Sequence, residues 1–486
     1  MADDLIFVRT EMLPPRDPPV AQAGAVRWLR ENLFSGPLNT ILTLLGLLAT
    51  AWLLLHLVPW LMHSVWNANS LTECRQIIAA TWGEGASGAC WAVVRERWPQ
   101  YVFGFYPQDF ALIARLSFAD QYAAAGGYEG VFGAAVNGTV REAFIADLRA
   151  NAGAFDLYVL GYWRPILAFV LMFGALAPVL FTALPRKMIW FSLLYPALAF
   201  WLLWGGTVWT PVVALMGFGV MAVVFSLLKD RLGVPVSAGL GLVAATLWWL
   251  FAQAPVTGAL QSALPFGLES VDSDRFGGFL LSIVIGVTAI SASLPMGILL
   301  ALGRRSDMLL VRTLSVGFIE FIRGVPLITL LFTASLLLQY FLPPGNNFDI
   351  ILRVIILVTF FAAAYIAEVI RGGLAALPRG QYEAADALGL DYWQAQRLII
   401  MPQALKISIP GIVSSFIGLF KDTTLVAFVG LMDPLKGITG VVRADIDWKG
   451  IYWEPYIFAG ALFFLICFGM SRYSMWLERR LKTDHR

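Results

Sequence analysis

Apolar blocks of about 20 residues recur along most of this chain, at 38–62, 162–182, 187–205, 209–228, 237–256, 278–302, 315–341, 351–371, 407–431 and 454–475. About twenty helical residues cross the roughly 30 Å of bilayer hydrocarbon. Lipid supplies no hydrogen-bond partners, so a crossing segment has to satisfy its backbone N–H and C=O groups internally. The blocks are too long and too uniformly apolar for barrel strands, which alternate in polarity. They predict an all-α polytopic membrane protein with about ten transmembrane helices.

Composition agrees and excludes several functions. Hydrophobic residues make up 59% of the 486 and charged residues 14%, where a soluble chain carries about a quarter charged. The formal net charge of +2 offers no electrostatic surface for nucleic acid, and the basic residues sit at segment ends. Three cysteines fit neither a disulfide scaffold nor a zinc module, and His56, His63 and His485 form no metal-ligating pattern. There is no GxxxxGK[ST] sequence, so the chain has no P-loop of its own. No cofactor, metal or catalytic residue is expected, and any ATP chemistry has to come from a partner.

The blocks divide the chain. Residues 1–37 are a polar tail, expected to be irregular because of Pro14-Pro15 and Pro18-Pro19. Residues 38–62 are read as a retained anchor; the run is long for a signal peptide and lies far from the N-terminus. Residues 63–160 form a polar extramembrane insert with Cys74 and Cys90. Four spans follow in 162–256, then five in 275–477, then a tail at 478–486.

Short loops rich in Lys and Arg stay in the cytoplasm. Arg9, Arg16, Arg27 and Arg30 place the N-terminal tail inside. Alternation then puts Arg186-Lys187, Lys229 with Arg231, Arg304-Arg305, the loop 377–402 and Arg479-Arg480 inside as well. Segments 63–160, 257–277, 342–350 and 432–453 fall outside, and both termini are cytoplasmic. Trp201, Trp204 and Trp209 suit an outer interfacial belt.

The inner loop contains Glu383-Ala384-Ala385-Asp386-Ala387-Leu388-Gly389 and later Ile399-Ile400-Met401-Pro402. Pro378 suits a helix start, the alanines favour helix and Gly389 suits its end. A second short helix is expected from Tyr392 to about Met401, stopped by Pro402. Glu383 and the small face of Ala384 and Ala387 then project into the cytosol. An ordinary connecting helix is the competing reading.

The pattern Glu-Ala-Ala, three residues, Gly, nine residues, Ile, one residue, Met, Pro resembles the EAA loop of bacterial ABC-importer membrane subunits. The usual ending is Ile-x-Leu-Pro, so Met401 departs from it. Three further stretches extend the likeness: Glu320 to Leu327, Ala367 to Gly373, and Lys421 to Leu425. With them, 275–477 resembles the five-helix permease core of the polar amino-acid uptake family. Val325 stands where Thr is frequent, and Thr424 where Ser is. Residues 1–274 resemble the enlargement seen in one membrane subunit of general L-amino-acid importers of Gram-negative bacteria. The resemblance implies a type I ABC-importer permease in the bacterial inner membrane, taking an amino-acid substrate. It implies a pair of ATPase subunits, a sister permease forming a heterodimer, and a periplasmic amino-acid-binding protein. It assigns ATPase coupling to Glu383, Ala384, Ala385, Gly389 and Pro402.

Ionisable groups inside spans are costly and face protein or water. Glu320 with Arg323, and Glu368 with Arg371, are spaced i, i+3 and can pair on one helix face. Both pairs lie near cytoplasmic ends, as a charged lattice around an inner pore mouth or as snorkelling interfacial charges. Lys421 and Asp422 lie beyond the midpoint of 407–431, with Ser414, Ser415, Thr423 and Thr424 nearby. An adjacent cation and anion suit a zwitterionic substrate; a structural ion pair at the permease interface is the competing reading. Cys74 and Cys90, outside in an oxidising compartment, are the disulfide candidate.

Two rival functions stay open on sequence. A secondary amino-acid transporter would show inverted repeats and broken helices, and neither is evident. A membrane-anchored sensor would use 63–160 as its receptor, but no cytosolic signalling domain follows.

Overall fold

The computed structural model describes residues 24–110, 160–181, 184–341 and 349–481, with isolated positions at 124, 143–144 and 146–147. Most of 111–159 in the predicted insert, most of the segment 342–350 predicted to lie outside, and the two chain ends lie outside the described residues. The chain forms two units, Met1–Arg95 and Glu96–Arg486.

In the first unit, helix Gly24–Asn32 falls within the tail expected to be irregular. The four prolines all precede it, and an exposed Arg27–Glu31 pair at 2.8 Å spans one turn. Helix Pro37–Met62 buries none of its residues, as suits a segment whose solvent is lipid. Helix Leu71–Trp82 begins at Ser70, whose hydroxyl accepts from the Glu73 N–H. Cys74 and Cys90 are fully buried and joined as a disulfide, with Cα atoms 6.1 Å apart. Non-reducing mass spectrometry of alkylated protein is expected to find the Cys74–Cys90 peptide pair and label on neither thiol. Closing a loop of about 16 residues stabilises this segment by roughly 3 kcal/mol; labelling of both positions without reductant would contradict it.

The second unit opens within helix Ala92–Phe103, which crosses the boundary at Arg95. Its membrane helices begin with Trp163–Leu180, Ile189–Trp204 and Trp209–Leu232. The next runs from Val234 through a π-helical turn at Trp248–Ala252 to Ala263. Antiparallel pairing of Gly206–Thr207 with Gly267–Leu268 ties two inter-helix turns together. The indole N–H of Trp209 donates to the Leu264 carbonyl at 2.9 Å, and that of Trp204 to Ser273 Oγ at 2.8 Å. Protein groups therefore satisfy these two indoles.

The C-terminal core contains Gly278–Arg304, Leu309–Gly324, Leu327–Phe341, Ile350–Ala375, a long helical run from Tyr392 to Val429, and Trp453–Leu481. Among the described residues, nine helices are long and apolar enough to cross a membrane, and a bent pair makes ten. Ile350–Ala375 is the central one: 56% of its most apolar window is buried, against 28% at most in the others. Its Ile366 packs so closely on Gly297 that a Cβ there would lie 2.7 Å from the Ile366 Cγ2. Ile285, Ala289, Val354, Val358 and Leu419 form one buried cluster; Ala301, Ile319, Ile370, Ile400 and Ala404 belong to a second.

Two predicted spans differ in shape. The block 315–341 is two helices, Leu309–Gly324 and Leu327–Phe341, meeting at a bend of 101°. Pro326 forces the residue before it out of helical conformation, and Val325 is extended at φ −107°, ψ 131°. A helix break, absent from the sequence reading, is therefore present. The block 407–431 begins much earlier, as part of a 38-residue run, Tyr392–Val429.

Candidate functional site

The loop 377–402 is built from Pro378 onward. Pro378 caps helix Arg379–Ala387 with extended backbone. Ala385 faces inward and is 1% exposed, while Glu383, Ala384, Asp386 and Ala387 face out. Gly389 turns the chain at φ +70°, a conformation that L side chains adopt at a cost. The following helix starts at Asp391, which forms a capping box with Gln394. Leu388, Tyr392 and Trp393 are 72%, 53% and 66% exposed. The loop thus presents acidic, small and aromatic groups together on one accessible surface.

Its inner side is held by residues that the sequence did not single out. Tyr382 packs against the cluster containing Leu374, Leu377 and Ile400. Arg305 Nη1 donates to the Tyr382 hydroxyl at 3.0 Å, and its guanidinium lies 5.6 Å from the ring centroid. Gln403 Nε2 donates to Gln381 Oε1 at 3.0 Å. Polar residues at the end of one span and the start of another thereby fix the loop helix.

Pro402 does not stop the second helix. The run continues through a π-helical turn, Gln396–Ile400, into Met401–Asp422. Proline removes one N–H and crowds the carbonyl four residues before it. The wider π turn absorbs that defect, and the Met401 N–H reaches back to the Gln396 carbonyl. Pro402 sits in the first turn of the continuing helix, where proline is tolerated.

The charged residues expected near the cytoplasmic ends come together around Glu368. Its side chain is 15% exposed and faces Arg304 at 2.6 Å, Arg371 at 2.9 Å and Arg323 at 3.8 Å. Glu320 pairs with Arg304 at 2.8 Å. The Glu368–Arg371 pair has the predicted i, i+3 form. Glu320 and Arg323 instead reach partners on other helices. Three guanidinium groups against two carboxylates leave one net positive charge. Arg323 also stacks over Tyr365, 5.5 Å from the ring centroid. Arg304 was legible only as part of a basic inner loop; its place in the last turn of Gly278–Arg304 is what carries it to both acids.

Lys421 and Asp422 end the α-helical part of the long run, and a 3₁₀ segment, Thr423–Val429, follows. Lys421 is exposed and Asp422 partly so. Among the described residues, neither joins the Glu368 cluster. The hydroxyls of Ser415, Thr423 and Thr424 donate to the carbonyls of Gly411, Phe420 and Lys421, at 2.9, 2.7 and 2.9 Å. These hydroxyls are engaged with their own helix.

Residues 293–483 match the family described as binding-protein-dependent transport system inner membrane component. The chain is 66% identical over 483 residues to the glutamate/glutamine/aspartate/asparagine transport system permease protein BztC of Rhodobacter capsulatus, covering 99% of this chain and 100% of that one. It is 33% identical over 480 residues to the inner membrane amino-acid ABC transporter permease protein YhdY of Escherichia coli, covering 97% and 96%. The glutamate/aspartate import permease protein GltK of Escherichia coli is 32% identical over 209 residues, which is 42% of this chain and 91% of GltK. The chain belongs to this family of ABC-importer membrane subunits. It is a multi-pass inner-membrane permease, a transporter subunit and not an enzyme, and the family implies ATPase and binding-protein partners. More than half of the chain lies beyond the part shared with GltK.

Proposed function

We propose that this chain is one of two different permease subunits in an importer for acidic amino acids and their amides. The full-length identity to BztC carries this reading. Specificity enters through a periplasmic binding protein, and the loop 377–402 receives the ATPase, with Glu383, Ala384, Ala385 and Gly389 on or under the docking surface. Pro402 acts by shaping the helix behind that surface. The basic inner loops support cytoplasmic N- and C-termini, and the predicted division into insert, four added spans and five-span core goes with that orientation. The Glu320, Arg304, Arg323, Glu368 and Arg371 cluster clamps three helix ends at the inner mouth. Lys421 and Asp422 stand as substrate-path candidates at a helix-to-3₁₀ junction.

The test is reconstitution in proteoliposomes with the sister permease, the ATPase and the binding protein. Uptake of glutamate, glutamine, aspartate and asparagine is expected only with ATP. Without the ATPase, a proton or sodium gradient is expected to drive no concentrative uptake. Gradient-driven accumulation would establish a secondary transporter instead, the rival to which the broken helix at Pro326 lends its one structural support.

A further inference from the structure

Arg353 lies in the first turn of Ile350–Ala375, the central helix of the core, at the end predicted to face outward. A long cation near the end of a membrane helix ordinarily snorkels to water. This one turns inward, and Arg353 is 8% exposed. Its Nη1 donates to the Ser335 carbonyl at 2.6 Å, on the helix that follows the break at Pro326. That acceptor is neutral, so the hydrogen bond leaves the charge uncompensated.

Among the described residues no carboxylate forms an ion pair with Arg353, and its buried Nε has no hydrogen-bond partner. Asp349, four residues earlier, is the acid that helix geometry offers. Its Oδ1 instead accepts from the Ile351 and Leu352 N–H groups at 2.9 and 3.1 Å, and its Oδ2 accepts from the Ser273 hydroxyl. Other arginines are compensated. Arg304, Arg323 and Arg371 share Glu368, and Arg97 meets Asp445 and Glu96. Arg164 is as deeply buried, but its Nε and Nη1 are spent on the Leu202 and Glu269 carbonyls at 2.8 and 2.9 Å. Its remaining Nη2 is closed off by Gly205, where a Cβ would lie 2.5 Å away.

A guanidinium takes a carboxylate through two parallel N–H groups, and such two-pronged contacts are among the strongest hydrogen-bonded pairs. With Nη1 on Ser335, the edge of Arg353 left for that contact is Nε with Nη2. An ionisable group inside a span marks a substrate path, and its partner has to be named. Glutamate and aspartate each carry one negative charge more than their amides. Lys421 and Asp422, the substrate-path candidates, match the ammonium and α-carboxylate that all four amino acids share. The second carboxylate of the acidic pair needs a cation of its own.

We propose that Arg353 receives the side-chain carboxylate of glutamate or aspartate on its way through the permease, and so sets a preference for the acids over their amides. The inference rests on the reading of the chain as an importer of these four amino acids. Without substrate the cation is held by the Ser335 carbonyl alone, and the substrate carboxylate supplies the missing countercharge on the Nε edge. An amide offers a neutral carbonyl, like that of Ser335, and gains less from the contact.

The experiment uses the complete importer in proteoliposomes, with the binding protein saturated by glutamate or by glutamine so that its own affinity drops out of the rates. Arg353→Gln is expected to lower maximal glutamate uptake by roughly ten-fold or more, the loss of one charge-assisted contact. Glutamine uptake is expected to fall by less than about three-fold, as for a neutral hydrogen bond. Aspartate and asparagine are expected to divide in the same way. Arg353→Lys keeps the charge without the planar fork, so its glutamate-to-glutamine ratio is expected between those of the wild type and Arg353→Gln. A purely structural role moves both substrates together. Equal losses for glutamate and glutamine in Arg353→Gln, or unchanged uptake of both, overturn the proposal. If Arg353→Gln fails to assemble, Arg353→Lys decides, and a ratio equal to that of the wild type overturns it. Wild-type uptake is measured alongside. No ATP-dependent uptake of any of the four would sink the importer reading; normal wild-type uptake with an unmoved ratio sinks the role of Arg353 alone.

Discussion

Glu383→Lys leaves the subunit inserted and assembled in the membrane but cuts ATP-driven uptake by about ten- to a hundred-fold. The reversal places a cation on an exposed, otherwise acidic and small-residue face. On the proposed docking surface such a loss corresponds to about 1.4–2.8 kcal/mol, which is that range of rates. Gly389→Asp acts on the same surface by another route. It puts a side chain at φ +70°, with no neighbouring atom within 4 Å to obstruct it, so it strains the turn itself and adds charge to the loop surface without disturbing the core. The measurement pairs substrate-stimulated ATP hydrolysis with copurification of the ATPase. Wild-type values for both variants would reduce the loop to a connector. Tyr382→Phe provides a contrast. It keeps the ring in its apolar cluster and removes the hydroxyl that accepts from Arg305, so a smaller loss, well under ten-fold, is expected.

Glu368→Gln is expected to be the most destabilising single change in the inner cluster, by about 3 kcal/mol. The substitution preserves shape and removes the one charge that three guanidinium groups share. Glu368 has 15% side-chain exposure and Arg304 24%, so solvent compensates little. Arg371→Gln removes a cation that is 46% exposed and leaves Glu368 with two others, so its cost falls under about 1 kcal/mol. Thermal unfolding of the detergent-solubilised complex ranks the two. Equal losses would show that the cluster is a set of independent surface pairs. A double variant, Glu320→Gln with Arg304→Gln, is expected to cost less than the sum of its singles, because both touch one contact.

The membrane helices were legible because bilayer thickness imposes a length on any crossing run. The loop pattern was legible because its residues lie within one short stretch, and so were the i, i+3 acid–base spacings, as possibilities. Pairing was another matter. Glu320 chose Arg304 over Arg323, which stands three residues away on its own helix. Sequence spacing says which groups can meet on one helix, and helix packing decides which do. The same limit applied to the prolines. Pro326 breaks a span at 101° with Val325 extended before it, while Pro402 is absorbed by a π turn. Both read as helix interruptions in one dimension.

Membership of the membrane-helical class, most of the apolar helices and the helical form of the loop 377–402 follow from short-range pattern, since hydrocarbon thickness and local helix periodicity act over fewer than about 30 residues. The charged cluster around Glu368, the anchoring of the loop through Arg305 and Tyr382, and the Arg97–Asp445 pair are tertiary facts. Their members are separated by 64, 77 and 348 positions. Nothing local distinguishes such partners from the other arginines and acids of the chain. They meet because close-packed helices, at contacts such as Gly297 on Ile366, bring distant helix ends within the reach of a side chain.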